Sequence, residues 1–160
     1  MSTWAAFVAE QPDLAREVRA RLDANVHKVM ATLRADGSPR LCGTEVVFHG
    51  DDLWLAGMVG ARRFADLRRD PRVALHSAPH DAEGWDGDAR LAGTAHASDD
   101  AEVRAAIAGT APESAPDPTA FELFRVDVTE VVSIRLEQGA DGLVVEAWHE
   151  GRGVRRRERG

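Results

Sequence analysis

Three arginines carry the clearest chemical signal in this chain: Arg40, Arg62 and Arg63. Arg40 closes the stretch Ala31-Thr32-Leu33-Arg34-Ala35-Asp36-Gly37-Ser38-Pro39-Arg40, where a strand runs into an Asp-Gly turn and returns headed by a cation. Arg62 and Arg63 stand in Gly60-Ala61-Arg62-Arg63-Phe64-Ala65-Asp66-Leu67-Arg68-Arg69-Asp70-Pro71, at the start of a short helix. Adjacent guanidiniums hold a phosphate by forked, charge-assisted hydrogen bonds. A helix start adds backbone donors and a favourable dipole. By residue type alone, a solvated surface pair is the favoured reading. In this order of elements, the arginines suit a phosphate-bearing cofactor held on a small β-barrel.

Other reactive residues give less. His76-x-x-x-His80 has a spacing seen in metal sites, but it falls at a strand end and a loop, where the two rings do not share a face. No Cys or acidic partner stands at a suitable distance, so no metal is expected. Cys42 sits on an inward-facing strand position and reads as a small buried residue. No serine nucleophile elbow is present.

The elements that must position these residues follow from periodicity. Residues 3–10 and 12–24 read as helices, broken at Pro12-Asp13, with Leu14, Val18 and Leu22 on one face. Strands are expected from His27 to Leu33, Arg40 to Phe48 and Leu53 to Gly57, with turns at Asp36-Gly37 and Gly50-Asp51-Asp52. A helix over 61–69 ends at Asp70-Pro71. Strands follow at 73–77 and 88–97, separated by a polar loop over 79–87, and Gly93 marks a bulge or a close backbone approach. Asp99 with Glu102 reads as a capping pair for a helix over 100–108. Residues 110–118 read as a loop. Phe124, Val126, Val128, Val132, Ile134 and Leu136 then fall on one face of a long strand, interrupted at Glu130 by a bulge or corner. Residues 142–149 form the last strand, and 152–160 a basic, frayed tail. The helices are too few to separate parallel strands. The fold class is therefore mainly β (α+β): a closed or split antiparallel β-barrel of six or seven strands with peripheral helices. One domain spans 1–160, with a helical N-terminus at 3–24, the barrel at 27–149 and the tail at 150–160.

Bulk composition narrows the function. A chain of 160 residues suits one core. A net charge of −7 argues against nucleic acid and anionic membranes as partners. No apolar run is long enough to span a bilayer, and the first residues lack a basic-then-apolar signal pattern. One cysteine cannot form an internal disulfide, which fits a cytoplasmic protein. There is no tyrosine, so no mechanism can use a phenol.

The hairpin, the third strand, Gly-Ala-Arg-Arg and Asp-Leu-Arg-Arg-Asp-Pro-Arg-Val-Ala-Leu together resemble the pyridoxamine 5'-phosphate oxidase-like family of FMN-binding split β-barrels, over roughly residues 25–135. The resemblance implies that Arg40, Arg62 and Arg63 contact the phosphate of flavin mononucleotide (FMN). Arg63 replaces a family lysine, and Ala61 a serine that often precedes the pair. It places Ala56 and Gly57 where backbone borders the flavin, Asp88 near a flavin-touching glutamine, and Trp148 like a tryptophan near the cofactor. Glu45 falls where the family carries a lysine for the substrate phosphate, and a carboxylate there repels phosphate. Neither the substrate-holding tyrosine nor the C-terminal Arg-x-His motif is present.

The expectation is a cytoplasmic, homodimeric oxidoreductase that uses FMN, or alternatively a deazaflavin coenzyme, on a small-molecule substrate other than pyridoxamine phosphate. A composition heavy in Ala, Arg, Asp and Gly is that of GC-rich genomes, where relatives include enzymes that use a deazaflavin, and Arg68, Arg69 and Arg72 could take its acidic tail or simply form a charged helix face. No general acid or base is identified, and Glu45 is the titratable group nearest the site. The alternative is a flavin- or haem-binding protein without turnover, with His27, His76, His96 and His149 as available haem ligands, or a barrel that has lost its cofactor.

Overall fold

The computed structural model describes residues 2–110, 117, 119–137 and 142–159. Most of the expected loop over 110–118 lies outside the described residues. The chain opens with α1 (Trp4–Glu10) and α2 (Pro12–Asp23). Thr3 caps α1 by accepting from the Ala6 N–H, and Pro12 starts α2 where its missing N–H costs nothing. Leu14, Ala15, Val18 and Leu22 form the buried face of α2.

Strands β1 (Lys28–Leu33), β2 (Pro39–His49) and β3 (Asp52–Met58) meander. Gly37 (φ 81°) makes the first turn, and the Asp36 carboxylate accepts from the Ser38 N–H at 2.9 Å. Helix α3 (Arg62–Arg69) follows, then β4 (Arg72–His76), β5 (Gly87–Ala97), α4 (Ala101–Ala108), β6 (Phe121–Leu136), β7 (Leu143–His149) and β8 (Gly153–Arg159). The strand order is β3-β2-β1-β4-β5-β6-β7-β8, and β3 also pairs with β6. That extra pairing closes six strands into a ring and leaves β7 and β8 as a flap beyond it. The split antiparallel barrel is therefore present, with eight strands where six or seven were expected.

The extra strand is the basic tail. Residues 153–159 pair in register with β7, from His149↔Gly153 to Leu143↔Arg159. An edge strand needs no apolar face of its own, so charged residues suit it, and no alternating pattern announced it. Helix α4 is capped by Asp100, which accepts from the Val103 N–H, while Asp99 pairs with Arg104. The bulge lies at Thr129, one residue before Glu130: Ala92 faces Glu130, but Gly93 faces Val128. A Cβ at Gly93 would collide with the Asp127 carbonyl, which explains the glycine. The inserted residue reverses facing along β6. Phe124, Val126, Val128 and then Val131 enter the main core, whereas Ile134 is half-buried and Leu136 is 47% exposed on the opposite face.

Helix α3 plugs one end of the ring. Phe64 stacks on Phe124 with centroids 5.0 Å apart, and Leu67 is buried beside it. Helices α1 and α2 cover the other side, where Phe7 packs on Trp148 at 4.9 Å. Each fully buried large side chain contributes about 1.5–3 kcal/mol.

Candidate cofactor-phosphate site

The turn into α3 leads to a helix start without a side-chain cap. Gly60 (φ 79°) stands third in Met58–Ala61, and the Ala61 N–H donates to the Met58 carbonyl at 3.2 Å, as in a type II turn. Ala61 supplies no side-chain cap, so the first amides of α3 face outward without an intrahelical partner. The Glu122 carboxylate accepts from the Gly60 N–H at 2.7 Å and stands within 2.5 Å of the Arg68 guanidinium.

Arg63 lies over Gly57 on β3, where a Cβ would collide with its guanidinium. Its Nε is buried and has no hydrogen-bond partner, and its guanidinium carbon sits 4.8 Å from the Phe64 ring centroid. Arg62 is exposed. Among the described residues neither is ion-paired. Arg40 projects from β2 toward the same helix, and its Nε–H donates to Asp66 at 2.6 Å. Asp66 also accepts from Arg69 at 3.0 Å and Thr32 at 2.9 Å. Burial pushes the Asp66 carboxyl up, but these three donors outweigh it and hold the pKa at about 2. Cys42 lies within the field of Arg63 and Arg40. Burial nevertheless raises its thiol pKa, so it stays a neutral thiol.

A groove of about 420 Å³ opens beside Arg63. Ala56 and Gly57 form its floor, and Met58, Ile107 and Phe121 give it apolar walls. Glu45, paired across strands with Ala56, and His27 also line it. The two side chains are exposed and stand 3.9 Å apart. A separate cleft of about 270 Å³ lies between α2 and the 77–87 loop and shares no lining residue with this groove.

The structure thus gathers Arg40, Arg63, Ala56 and Gly57 around one end of the barrel, with Arg62 beside them. It does not bring Asp88 there. Asp88 sits on β5 opposite Ile134, one strand from β3 through β6, and does not line the groove. Trp148 is fully buried, and its Nε1–H donates to Glu10 at 2.9 Å. Its indole fills the core and does not line the groove. Arg68, Arg69 and Arg72 already pair with Glu122, Asp66 and Asp70, which leaves little support for an acidic-tail role. No cluster of three metal-binding side chains occurs among the described residues. Asp66 and Glu122 escaped the sequence reading. Both had a signal: Asp66 falls on the apolar arc of α3, and Glu122 continues the inward series of Phe124, Val126 and Val128.

The family model for pyridoxamine 5'-phosphate oxidase matches residues 14–135. The chain belongs to the pyridoxamine 5'-phosphate oxidase family. No curated protein sequence matches it. Among solved structures, this member is similar to a pyridoxamine 5'-phosphate oxidase-related, FMN-binding protein from Nostoc punctiforme PCC 73102. That match has 15% identity, covers 100% of this chain and 98% of the other, and has a TM-score of 0.64. It is also similar to HutZ, the haem storage protein from Vibrio cholerae (18% identity, 88% and 96% covered, TM-score 0.59). An F420 reductase matches at 17% identity over 69% of this chain and 92% of its own, with a TM-score of 0.53. These likenesses establish the shared split-barrel fold. No described helix of this family member is long and apolar enough to cross a membrane.

Proposed function

We propose that this protein is an oxidoreductase that holds FMN, or a deazaflavin coenzyme, by its phosphate at the α3 entrance. The observation that carries the reading is the Arg63 guanidinium, without a hydrogen-bond or ion-pair partner among the described residues, beside uncapped helix amides at the edge of a groove lined by Ala56 and Gly57. A buried unpaired donor and a free helix start fit a phosphate. The apolar walls fit a planar ring system. When bound, the cofactor supplies two-electron chemistry. Arg63 and Arg40 bind and orient it, and Met58, Ile107 and Phe121 exclude water. Glu45 makes the far end of the groove unfavourable for an anionic substrate, so oxidation of pyridoxamine phosphate is not expected.

Two copies complete the site in this reading. Leu41, Met58 and Val59 are 72%, 76% and 66% exposed around the groove and the barrel wall. Leu41 continues a row through Ala31 to Ala74 on the outer face of three strands. Such a face is buried by a twin subunit.

The visible spectrum of the purified protein, followed by titration with FMN and with the deazaflavin coenzyme, tests the reading. Saturable binding of either supports it. A haem band selects the carrier alternative, for which His27 at the groove is the available ligand. Binding of none of these cofactors rejects both readings.

A further inference from the structure

We propose that Glu122 is a positioning residue that fixes the turn ahead of α3 and thereby sets how tightly the phosphate end of the cofactor is held; this rests on the cofactor reading above. Glu122 occupies an inward position on β6 in series with Phe124, Val126 and Val128, and it is only 9% exposed. A carboxylate at such a position is costly unless it is paired. Here its two oxygens are divided between two points of the α3 entrance. Oε1 accepts from the Gly60 N–H at 2.7 Å. Oε2 forms an ion pair with Arg68 at 2.5 Å, at an angle short of a hydrogen bond.

The Gly60 N–H belongs to the central peptide of the Met58–Ala61 turn. Flipping that peptide interconverts type II and type I turns and reverses the direction in which its N–H and C=O point. An acceptor fixed on β6 selects one orientation. Glu122 also pairs across strands with Gly57, the residue that Arg63 covers. The same carboxylate therefore ties together the floor of the groove and the turn that presents the helix amides. Its charge would oppose a nearby phosphate if it stood alone. Arg68 neutralises it, held 5.5 Å over the Phe124 ring.

The test separates this role from that of an ordinary structural ion pair. Wild type, E122A, E122Q and R68Q are titrated with FMN and with riboflavin, which lacks the phosphate, and flavin fluorescence is followed. Melting curves check that each variant folds. Wild type binds FMN more tightly than riboflavin. E122A weakens FMN about tenfold and riboflavin less than about twofold. E122Q, which keeps an oxygen for Gly60, falls between wild type and E122A. R68Q, whose side chain is half-exposed, loses FMN affinity selectively by a few fold. Equal losses for both flavins, or an unchanged FMN affinity in E122A, overturn the positioning role. If E122A does not fold, R68Q decides: selective loss supports the role, and wild-type behaviour overturns it. A wild type that holds FMN no more tightly than riboflavin removes the cofactor-phosphate reading itself. Discrimination in wild type that E122A leaves intact removes only the role of Glu122.

Discussion

Arg40 and Arg63 look alike in the sequence and differ in the fold. Arg40 donates its Nε–H to the buried Asp66, so it is both oriented and structural. Arg63 has no hydrogen-bond or ion-pair partner among the described residues, only the Phe64 ring beside its guanidinium. Arg63→Ala should therefore weaken FMN binding about 10- to 100-fold and leave stability within about 0.5 kcal/mol of wild type. Arg40→Ala should lower both, because Asp66 loses its closest donor. Calorimetric titration and thermal melts measure the two effects. Asp66 also makes stability pH-dependent. Its folded pKa of about 2 lies below its ordinary value of 3.8, so the stabilisation is complete above about pH 4 and is lost as pH falls toward 2. Urea midpoints between pH 5 and pH 2 should fall more steeply for wild type than for Asp66→Asn, by a difference on the order of 1 kcal/mol. The arginines were legible at this scale because their type and spacing carry the chemistry. Their partners were not, since Asp66 lies 26 residues from Arg40, and pairing at that distance depends on the packed helix.

The elements themselves were largely written in local pattern. The α1 and α2 boundaries, the Asp-Gly hairpin, the α3 stop at Asp70-Pro71 and the Gly93 irregularity all follow from caps, turn residues and period. Two features needed the assembled sheet. The Thr129 bulge reverses facing along β6, so one uninterrupted alternation could not describe it. Strand β8 has no apolar period because it is an edge that owes its order to β7. Val154 pairs with the buried Trp148 and packs against the main core. Deleting residues 153–160 should therefore lower stability by about 2–4 kcal/mol, as loss of a packed partner strand does. A merely solvated tail would leave the denaturation midpoint unchanged. Trp148→Phe should likewise lower stability, by about 1–2 kcal/mol. It should leave FMN affinity intact, because the indole serves α1 and not the groove.

For the whole molecule, the groove lies on an outer wall where Leu41 and Met58 are largely exposed. If two copies pair there, Leu41→Glu should shift sedimentation from dimer to monomer. The melting transition of the fold should remain, and cofactor affinity should fall, because one wall of each site is lost. A wild type that sediments as a monomer at micromolar concentration would sink the paired arrangement.

Closure of the ring by β3 and β6 also orders events during synthesis. Strands β1 to β5 leave the ribosome before the partner that completes them. The outer edge of β3, including the core residue Leu55, stays unpaired until Phe121–Val126 has been made. For that interval the nascent chain presents an open, apolar strand edge, the kind of surface that chaperones cover and neighbouring nascent chains capture. Shortening the wait by circular permutation, so that β6 precedes β3, should raise soluble yield while the strand pairings of the finished barrel stay the same.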